Sequence, residues 1–135
     1  METAMPANNL LNEVLQQLRA GGNMPEELVE IFSEEADEHM RNIYDGLDRL
    51  RVNSNDLEAL SDVRRSSHTL KGAAGAVGFE SVTRLSHRME DLLDWLGDRE
   101  IGPTEEQLVL CLATTDQIAD LNLSLIHISE PTRPY

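Results

Sequence analysis

Apolar residues recur every three or four positions along most of this chain, and this spacing constrains its fold more than any other feature. One apolar stripe spans residues 28–50, a second spans 57–77 and a third spans 82–96. A period of 3.6 residues is typical of an amphipathic α-helix, and no stretch shows the period of two that a half-buried strand requires. The sequence therefore predicts an all-α protein.

Short breaks separate these stripes. "VNSND" follows the first stripe and ends in a helix-capping residue, Asn55 or Asp56. "GFE" forms the corner after the second stripe, and Thr104 opens a last helix that ends at about residue 121. Because long helices joined by short loops favour an up-and-down antiparallel bundle, we expect a four-helix core over residues 23–121.

The two ends of the chain are predicted to lie outside this core. Residues 1–22 contain "NLLNEVLQQLRA", whose apolar spacing predicts an extra N-terminal helix or a linker. "LSLIHISEPTRPY" at the other end follows neither helical nor strand spacing, and it is similar to translated sequencing-adapter sequence. We therefore expect residues 122–135 to be a non-native or disordered tail.

Composition excludes several classes of function. The formal net charge of −14 argues against a general binder of nucleic acid or of anionic membranes. There is neither an apolar run of about 18 residues nor a basic-then-apolar start, so we predict no transmembrane span and no signal peptide. The single cysteine, Cys111, excludes an internal disulfide and fits a small core residue. We expect a cytoplasmic module.

The motif "HTLKGAAGAVG" begins at His68 and, on this spacing, is helical to its last residue, Gly78. A step of about 100° per residue places His68 off the apolar stripe, on the same side as Arg64, Gly72 and Gly75. Each glycine inside a helix costs about 1 kcal/mol relative to alanine. We expect this cost to be offset by a flat surface on which another protein can bring its active site to the imidazole.

His68 has the chemistry of a phosphoryl acceptor. Imidazole is a nitrogen nucleophile at physiological pH, because the reference pKa of a histidine side chain is about 6.5. A phosphoryl group would add negative charge and three acceptor oxygens. Lys71, the only lysine in the chain, lies one turn away and can reach those oxygens. Taken alone, however, a single histidine on a helix surface is more often inert.

The next predicted helix supplies a second polar pair. His87 and Glu90 lie one turn apart and off its apolar stripe. Because His87 is about as far from the "GFE" corner as His68, we expect the two rings at a similar height. His87 would then hydrogen-bond one nitrogen of His68, with its own tautomer fixed by Glu90. The alternative is that both are ordinary exposed residues of an amphipathic helix.

The stretch "SSHTLKGAAGAVGFESVTRLSHRMEDLLD" resembles the histidine-containing phosphotransfer (HPt) domain, and most of all the first domain of chemotaxis-type histidine kinases. The resemblance implies a helical bundle in which His68 is phosphorylated and Lys71 stabilises the phosphoryl group. It implies that His87 and Glu90 orient the histidine. With the helix face described above, it implies that Arg64, Gly72 and Gly75 belong to the surface on which partners dock.

The resemblance covers about residues 26–121 and implies a module of a two-component phosphorelay. Its partners would be the ATP-binding catalytic domain of a histidine kinase and the receiver domain of a response regulator. Large chemosensory kinases of the type IV pilus class carry several such modules in series, and this chain is similar to one of them. The sequence has no glycine-rich nucleotide site, so we expect no cofactor and no autonomous phosphorylation.

Two other functions are compatible with these residues. A bundle that kept the fold and lost phosphotransfer would act as a scaffold, although the presence of all four polar positions argues against this. Alternatively, His68, His87 and Glu90 carry ligand types that suit zinc. A lysine beside a surface-displayed ligand set disfavours a cation, so we predict no metal site.

Overall fold

The computed structural model describes the backbone of residues 26–129 and the side chains of residues 26–123. Its four helices are α1 (Glu26–Val52), α2 (Leu57–Ala76), α3 (Glu80–Arg99) and α4 (Glu105–Ser129). Each helix packs against the next one, and α4 also packs against α1 and closes the bundle. The predicted all-α four-helix core is confirmed, with no strand in the described part of the chain. The extra helix expected within residues 1–22 lies outside the described residues.

The apolar stripes of the helices meet in one core. Burial of a large aliphatic or aromatic side chain stabilises a fold by about 1.5–3 kcal/mol, so a core of this size is the main support of the bundle. Its largest fully buried apolar side chains are Phe32, Ile43, Leu50, Leu60, Val63, Leu70, Val82, Leu93, Leu96 and Ile118. Cys111 is also buried, and burial raises the pKa of its thiol to about 11.

Side-chain caps begin two of the helices, as the sequence predicts. The Asp56 carboxylate accepts a hydrogen bond of 3.0 Å from the backbone N–H of Ala59 and caps α2. At the start of α4, the backbone N–H of Gln107 donates to Oγ1 of Thr104 at 3.1 Å, and the backbone N–H of Thr104 donates to Oε1 of Gln107 at 2.9 Å. Such a reciprocal capping box satisfies donors that the first helical turn leaves free.

The corner between α2 and α3 depends on Gly78. This residue has φ 79°, a left-handed conformation that glycine adopts without steric cost. The backbone N–H of Phe79 donates to the carbonyl of Ala74 at 2.9 Å and that of Gly78 to the carbonyl of Gly75 at 3.2 Å, which is a Schellman motif. The expectation that the helix continues to Gly78 is therefore wrong: α2 ends at Ala76, and Gly78 terminates it.

The far end of α4 also differs from the prediction. The helix continues to Ser129 instead of ending at about residue 121, because no glycine or proline interrupts it. Asn122 is buried, and its Nδ2 donates to the backbone carbonyl of Ser33 at 3.4 Å and to Oδ1 of Asp37 at 3.2 Å. Asn122 thus packs against α1, so a non-native tail can begin only after it, and a disordered tail can begin only after Ser129, where α4 ends. That the residues after Asn122 are non-native stays a prediction.

Among residues 26–129, no helix combines the length and the apolarity that a membrane crossing requires.

Candidate functional site

The α2–α3 hairpin places Glu90 directly opposite His68. His68 precedes Phe79 at the corner by eleven residues, and Glu90 follows Phe79 by eleven. Residues equally far from the corner of an antiparallel hairpin lie at the same height along the two helices. Accordingly, Nδ1 of His68 lies 2.5 Å from Oε2 of Glu90. The residue that reaches His68 across the hairpin is therefore Glu90.

Glu90 is a buried carboxylate with two partners. The sequence places it off the apolar stripe, but the structure buries it between α2 and α3, where its side chain is 9% exposed. Its second oxygen, Oε1, lies 2.6 Å from Nζ of Lys71, one turn after His68 on α2. Burial raises the pKa of Glu90, but hydrogen bonds from Lys71 and His68 outweigh it, so that the net effect lowers this pKa. Glu90 is therefore ionised at neutral pH.

The ionised carboxylate decides which nitrogen of His68 is free. A carboxylate can only accept hydrogen bonds, so Nδ1 of the ring carries the proton that it donates to Glu90. The lone pair of a neutral imidazole then belongs to Nε2. The His68 side chain is 67% exposed, and its Nδ1 edge faces the buried carboxylate, which leaves Nε2 on the solvent side. The site thus presents a nucleophilic nitrogen to an incoming molecule.

His87 does not take part in this arrangement. It follows the corner by only eight residues, about 4.5 Å lower along α3 than Glu90 at 1.5 Å per residue. Its exposed ring instead places Nε2 3.4 Å from Oδ1 of Asp91 on the same helix. No hydrogen bond joins His87 to His68 among the described side chains, so the structure does not support the expected contact. A comparison of distances from the corner would have identified Glu90 from the sequence.

The same geometry bears on the metal-site alternative. His68 and Glu90 meet without His87, the third ligand that this alternative requires. Within the described side chains, no three histidine, cysteine, aspartate or glutamate residues are grouped as a metal site would need. The ammonium of Lys71 on Glu90 also occupies the side of the carboxylate that a cation would use.

Gly72 and Gly75 leave the surface beyond His68 bare. A Cβ atom added at Gly72 would meet no atom within 4 Å, and one added at Gly75 would only touch Thr83 at 3.9 Å. Neither position therefore requires glycine for packing within this chain. The expectation that they form part of a docking surface is compatible with this geometry and stays a prediction.

An open cavity of about 430 Å³ adjoins the other side of His68. Arg64 lies at its edge, and the Nε atom of this arginine is 2.6 Å from Oδ1 of Asp94 on α3. Arg64 thus lies on the same face as His68, as the sequence predicts, with its charge engaged by α3. The side chains that line the cavity are Ser61, Arg64, Arg65, His68, Glu90 and Asp94.

Comparison with known proteins gives a consistent match over the bundle. A family model described as Hpt domain matches residues 27–122. The chain is 34% identical to the CheA phosphotransferase domain from Thermotoga maritima, with a TM-score of 0.72 over 75% of this chain and 96% of that domain. A computationally redesigned four-helix bundle, 23% identical with a TM-score of 0.71, shares the fold alone.

Curated relatives are chemotaxis proteins. The chain is 33% identical over 95 residues to the chemotaxis protein CheA of Rhizobium meliloti, which covers 70% of this chain and 12% of the relative. It is 29% identical over 104 residues to the chemotaxis protein CheA of Listeria monocytogenes, which covers 77% of this chain and 17% of the relative. The chain thus spans less than a fifth of the length of these relatives.

Proposed function

Because the chain belongs to the Hpt domain family, whose function is histidine phosphotransfer in phosphorelays, we propose that His68 is its phosphorylated residue. In this proposal His68 accepts a phosphoryl group from the catalytic domain of a histidine kinase. It then passes the group to an aspartate of a response-regulator receiver. One observation carries the proposal: Nδ1 of the exposed His68 lies 2.5 Å from the buried carboxylate of Glu90, which leaves Nε2 free to react.

In the first step, Nε2 of His68 attacks the γ-phosphorus of ATP bound to the kinase domain. The bond from phosphorus to Nε2 forms while the bond to the bridging oxygen breaks, and that electron pair leaves with ADP. The ring keeps its proton on Nδ1 and so becomes positively charged. The ionised Glu90, 2.5 Å away, stabilises this charge.

In the second step, a carboxylate oxygen of the receiver aspartate attacks the same phosphorus. The phosphorus–nitrogen bond breaks, and its electron pair returns to Nε2. The ring is then neutral again, with its proton still shared between Nδ1 and Glu90. No general base is required in either step, because neither the attacking nitrogen of the first step nor the attacking carboxylate oxygen of the second carries a proton.

Lys71 supports this chemistry through Glu90. Its ammonium lies 2.6 Å from Oε1 of the carboxylate, which helps to keep Glu90 ionised and fixes its position. The resemblance to the family also implies contact between Lys71 and the phosphoryl oxygens. That contact is part of the proposal, and it requires the flexible ammonium to be shared between Glu90 and the phosphoryl group. His87 has no orienting role in this proposal.

Partners would dock on the face that carries His68. The positions without side chains, Gly72 and Gly75, allow a second protein to approach the ring closely, and Arg64 borders the opposite side. We place this exchange in the cytoplasm, with a kinase domain and a receiver as the two partners. Membership of a type IV pilus chemosensory kinase stays a prediction.

The proposal is tested by mixing the protein with a chemotaxis-type kinase catalytic domain and radiolabelled ATP. We expect label on the wild-type protein that is acid-labile and base-stable, as a phosphorus–nitrogen bond is. His68→Gln should abolish the label, whereas the matched variant His87→Gln should keep it. Full labelling of His68→Gln would refute the assignment. A labelled protein that passes no phosphate to any chemotaxis receiver would refute the second step alone.

A further inference from the structure

The guanidinium of Arg64 rests on α3, directed away from His68. Its Nε lies 2.6 Å from Oδ1 of Asp94, and its Nη2 lies 3.6 Å from Oδ1 of Asp98, one turn further from His68. Between these carboxylates is Gly97, where an added Cβ would lie 2.5 Å from Nη1 of Arg64. The bare Gly97 thus leaves the space that the guanidinium occupies. We call this arrangement the parked position of Arg64.

The parked position is close enough to His68 for the guanidinium of Arg64 to move from α3 to the imidazole. Arg64 precedes His68 by four residues on α2, so that their Cβ atoms are about 6 Å apart. Both side chains line the same open cavity of about 430 Å³. The Arg64 side chain is 38% exposed, so that part of it is in contact with solvent.

Phosphorylation would change the balance of charges at this cavity. A phosphoryl group carries a charge of about −1.5 to −2 at pH 7. A guanidinium binds phosphoryl oxygens through two parallel hydrogen bonds. The phosphoryl group is therefore a stronger partner for Arg64 than a half-exposed carboxylate is. The Asp94 side chain is 41% exposed and that of Asp98 is 71% exposed, and ion pairs so accessible to solvent contribute little to stability. The parked position is therefore one that a phosphoryl group on Nε2 can outcompete.

The neighbouring cations are less available. Lys71 is held on Glu90 at 2.6 Å. Arg65 lies 3.6 Å from Asp62, on the side of α2 that faces α1. Arg65 also lines the cavity, but its pair with Asp62 lies toward α1. Arg64 is the cation of the cavity that lies on the α3 side, where Glu90 contacts His68.

We propose that Arg64 is a second cation for the phosphoryl group, released from Asp94 and Asp98 when His68 is phosphorylated. The inference rests on the proposed function and adds a residue to it. It involves no covalent step, only the exchange of one ion pair for another. Gly97 is part of this arrangement because the absence of a side chain there leaves room for the parked guanidinium.

The test uses phosphoramidate, a small donor that needs no kinase. Nε2 of His68 attacks its phosphorus, the phosphorus–nitrogen bond of the donor breaks, and ammonia leaves. The pH titration of the resulting phosphoryl group is then followed by ³¹P NMR. A nearby cation favours the dianion, so Arg64→Gln should raise the titration midpoint by a few tenths of a pH unit. The matched control is Arg84→Gln, which removes the same charge from the α4 side of α3 and should leave the midpoint unchanged.

A second variant tests the parked position and should shift the titration midpoint in the opposite direction. Gly97→Ala should displace the guanidinium toward His68 and lower the midpoint below that of the wild type. In the double variant Gly97→Ala, Arg64→Gln, the lowering should disappear. Equal midpoints for wild type, Arg64→Gln and Gly97→Ala, on proteins phosphorylated at His68, would overturn this inference alone. A wild-type protein that gives no phosphohistidine signal would refute the proposed function and this inference with it.

Discussion

Glu90 is almost fully buried, yet the imidazole of His68 that it contacts at 2.5 Å is two-thirds exposed. The carboxylate therefore has a fixed position set by the packing of α2 on α3, while the ring is open to a partner. A buried acceptor of this kind orients an exposed nucleophile without covering it. The arrangement separates the part of the site that must be rigid from the part that must be reached.

The first prediction concerns the rate of phosphorylation. Glu90→Gln keeps the shape of the side chain but removes the charge that stabilises the positively charged ring. We expect the initial rate of labelling by kinase and ATP to fall about ten-fold, which corresponds to about 1.4 kcal/mol of the barrier. His87→Gln, the matched change on the same helix, should label at the wild-type rate. Equal rates for Glu90→Gln and wild type across pH 6 to 9 would contradict the orienting role of Glu90.

The second prediction concerns stability and pH. The pKa of Glu90 is lowered in the folded state, so its contribution to stability is fully present above its ordinary value of 4.5. That contribution is lost as the pH falls through the lowered folded value. We therefore expect the difference in unfolding free energy between wild type and Glu90→Gln to be constant above about pH 5.5 and to shrink below pH 4.5. Denaturant unfolding at several pH values measures it, and a difference that persists unchanged to pH 3 would count against the interpretation.

The third prediction concerns the end of α3. Glu100 has φ 54°, a left-handed conformation that costs a residue with a side chain about 1–2 kcal/mol. Its backbone N–H donates to the carbonyl of Gly97, as in a helix terminus that usually carries glycine. Glu100→Gly should therefore raise the free energy of unfolding by about 1 kcal/mol. Arg88→Gly, within the same helix on an exposed site, should lower it by about 1 kcal/mol. Thermal melts compare the two, and destabilisation by Glu100→Gly would show that the conformation carries no strain.

The fourth prediction concerns the bare surface beyond His68. A Cβ at Gly75 makes only ordinary contact with Thr83, so Gly75→Ala should stabilise the helical backbone by up to about 1 kcal/mol. Gly75→Lys should also fold, because the position is exposed. Phosphate transfer to a receiver should nonetheless fall in Gly75→Lys, since a bulky side chain is forced into a close interface. Transfer at the wild-type rate by a folded Gly75→Lys would contradict the docking surface.

Local sequence signals predict much of this molecule. The capping residues Asp56 and Thr104 are recognisable because a cap depends only on the next three residues. The apolar stripes are recognisable for the same reason, since a helix period is a local property. His68 and Lys71 are identified by one short motif on one helix.

The contacts between helices are harder to predict. The choice between His87 and Glu90 as the partner of His68 depends on how far each residue lies from the corner between α2 and α3, which the apolar period of a single helix does not report. The burial of Glu90 has the same origin, because its position off the apolar stripe is turned toward α2 by the hairpin. The end of α2 is hard to predict for a different reason: Gly72, Gly75 and Gly78 are all glycines, and only the backbone angle of Gly78 distinguishes it.

The position of the corner at Gly78 and Phe79 determines which residues of α2 and α3 face each other. His68 and Glu90 are separated by 22 positions, and the turn divides them into two equal arms. One residue inserted into either arm would turn everything beyond it by about 100° and advance it by 1.5 Å. Every side chain of the site would still be present after such an insertion, but the carboxylate would no longer face the imidazole. The reactive pair is thus specified by a count of residues as much as by their identity.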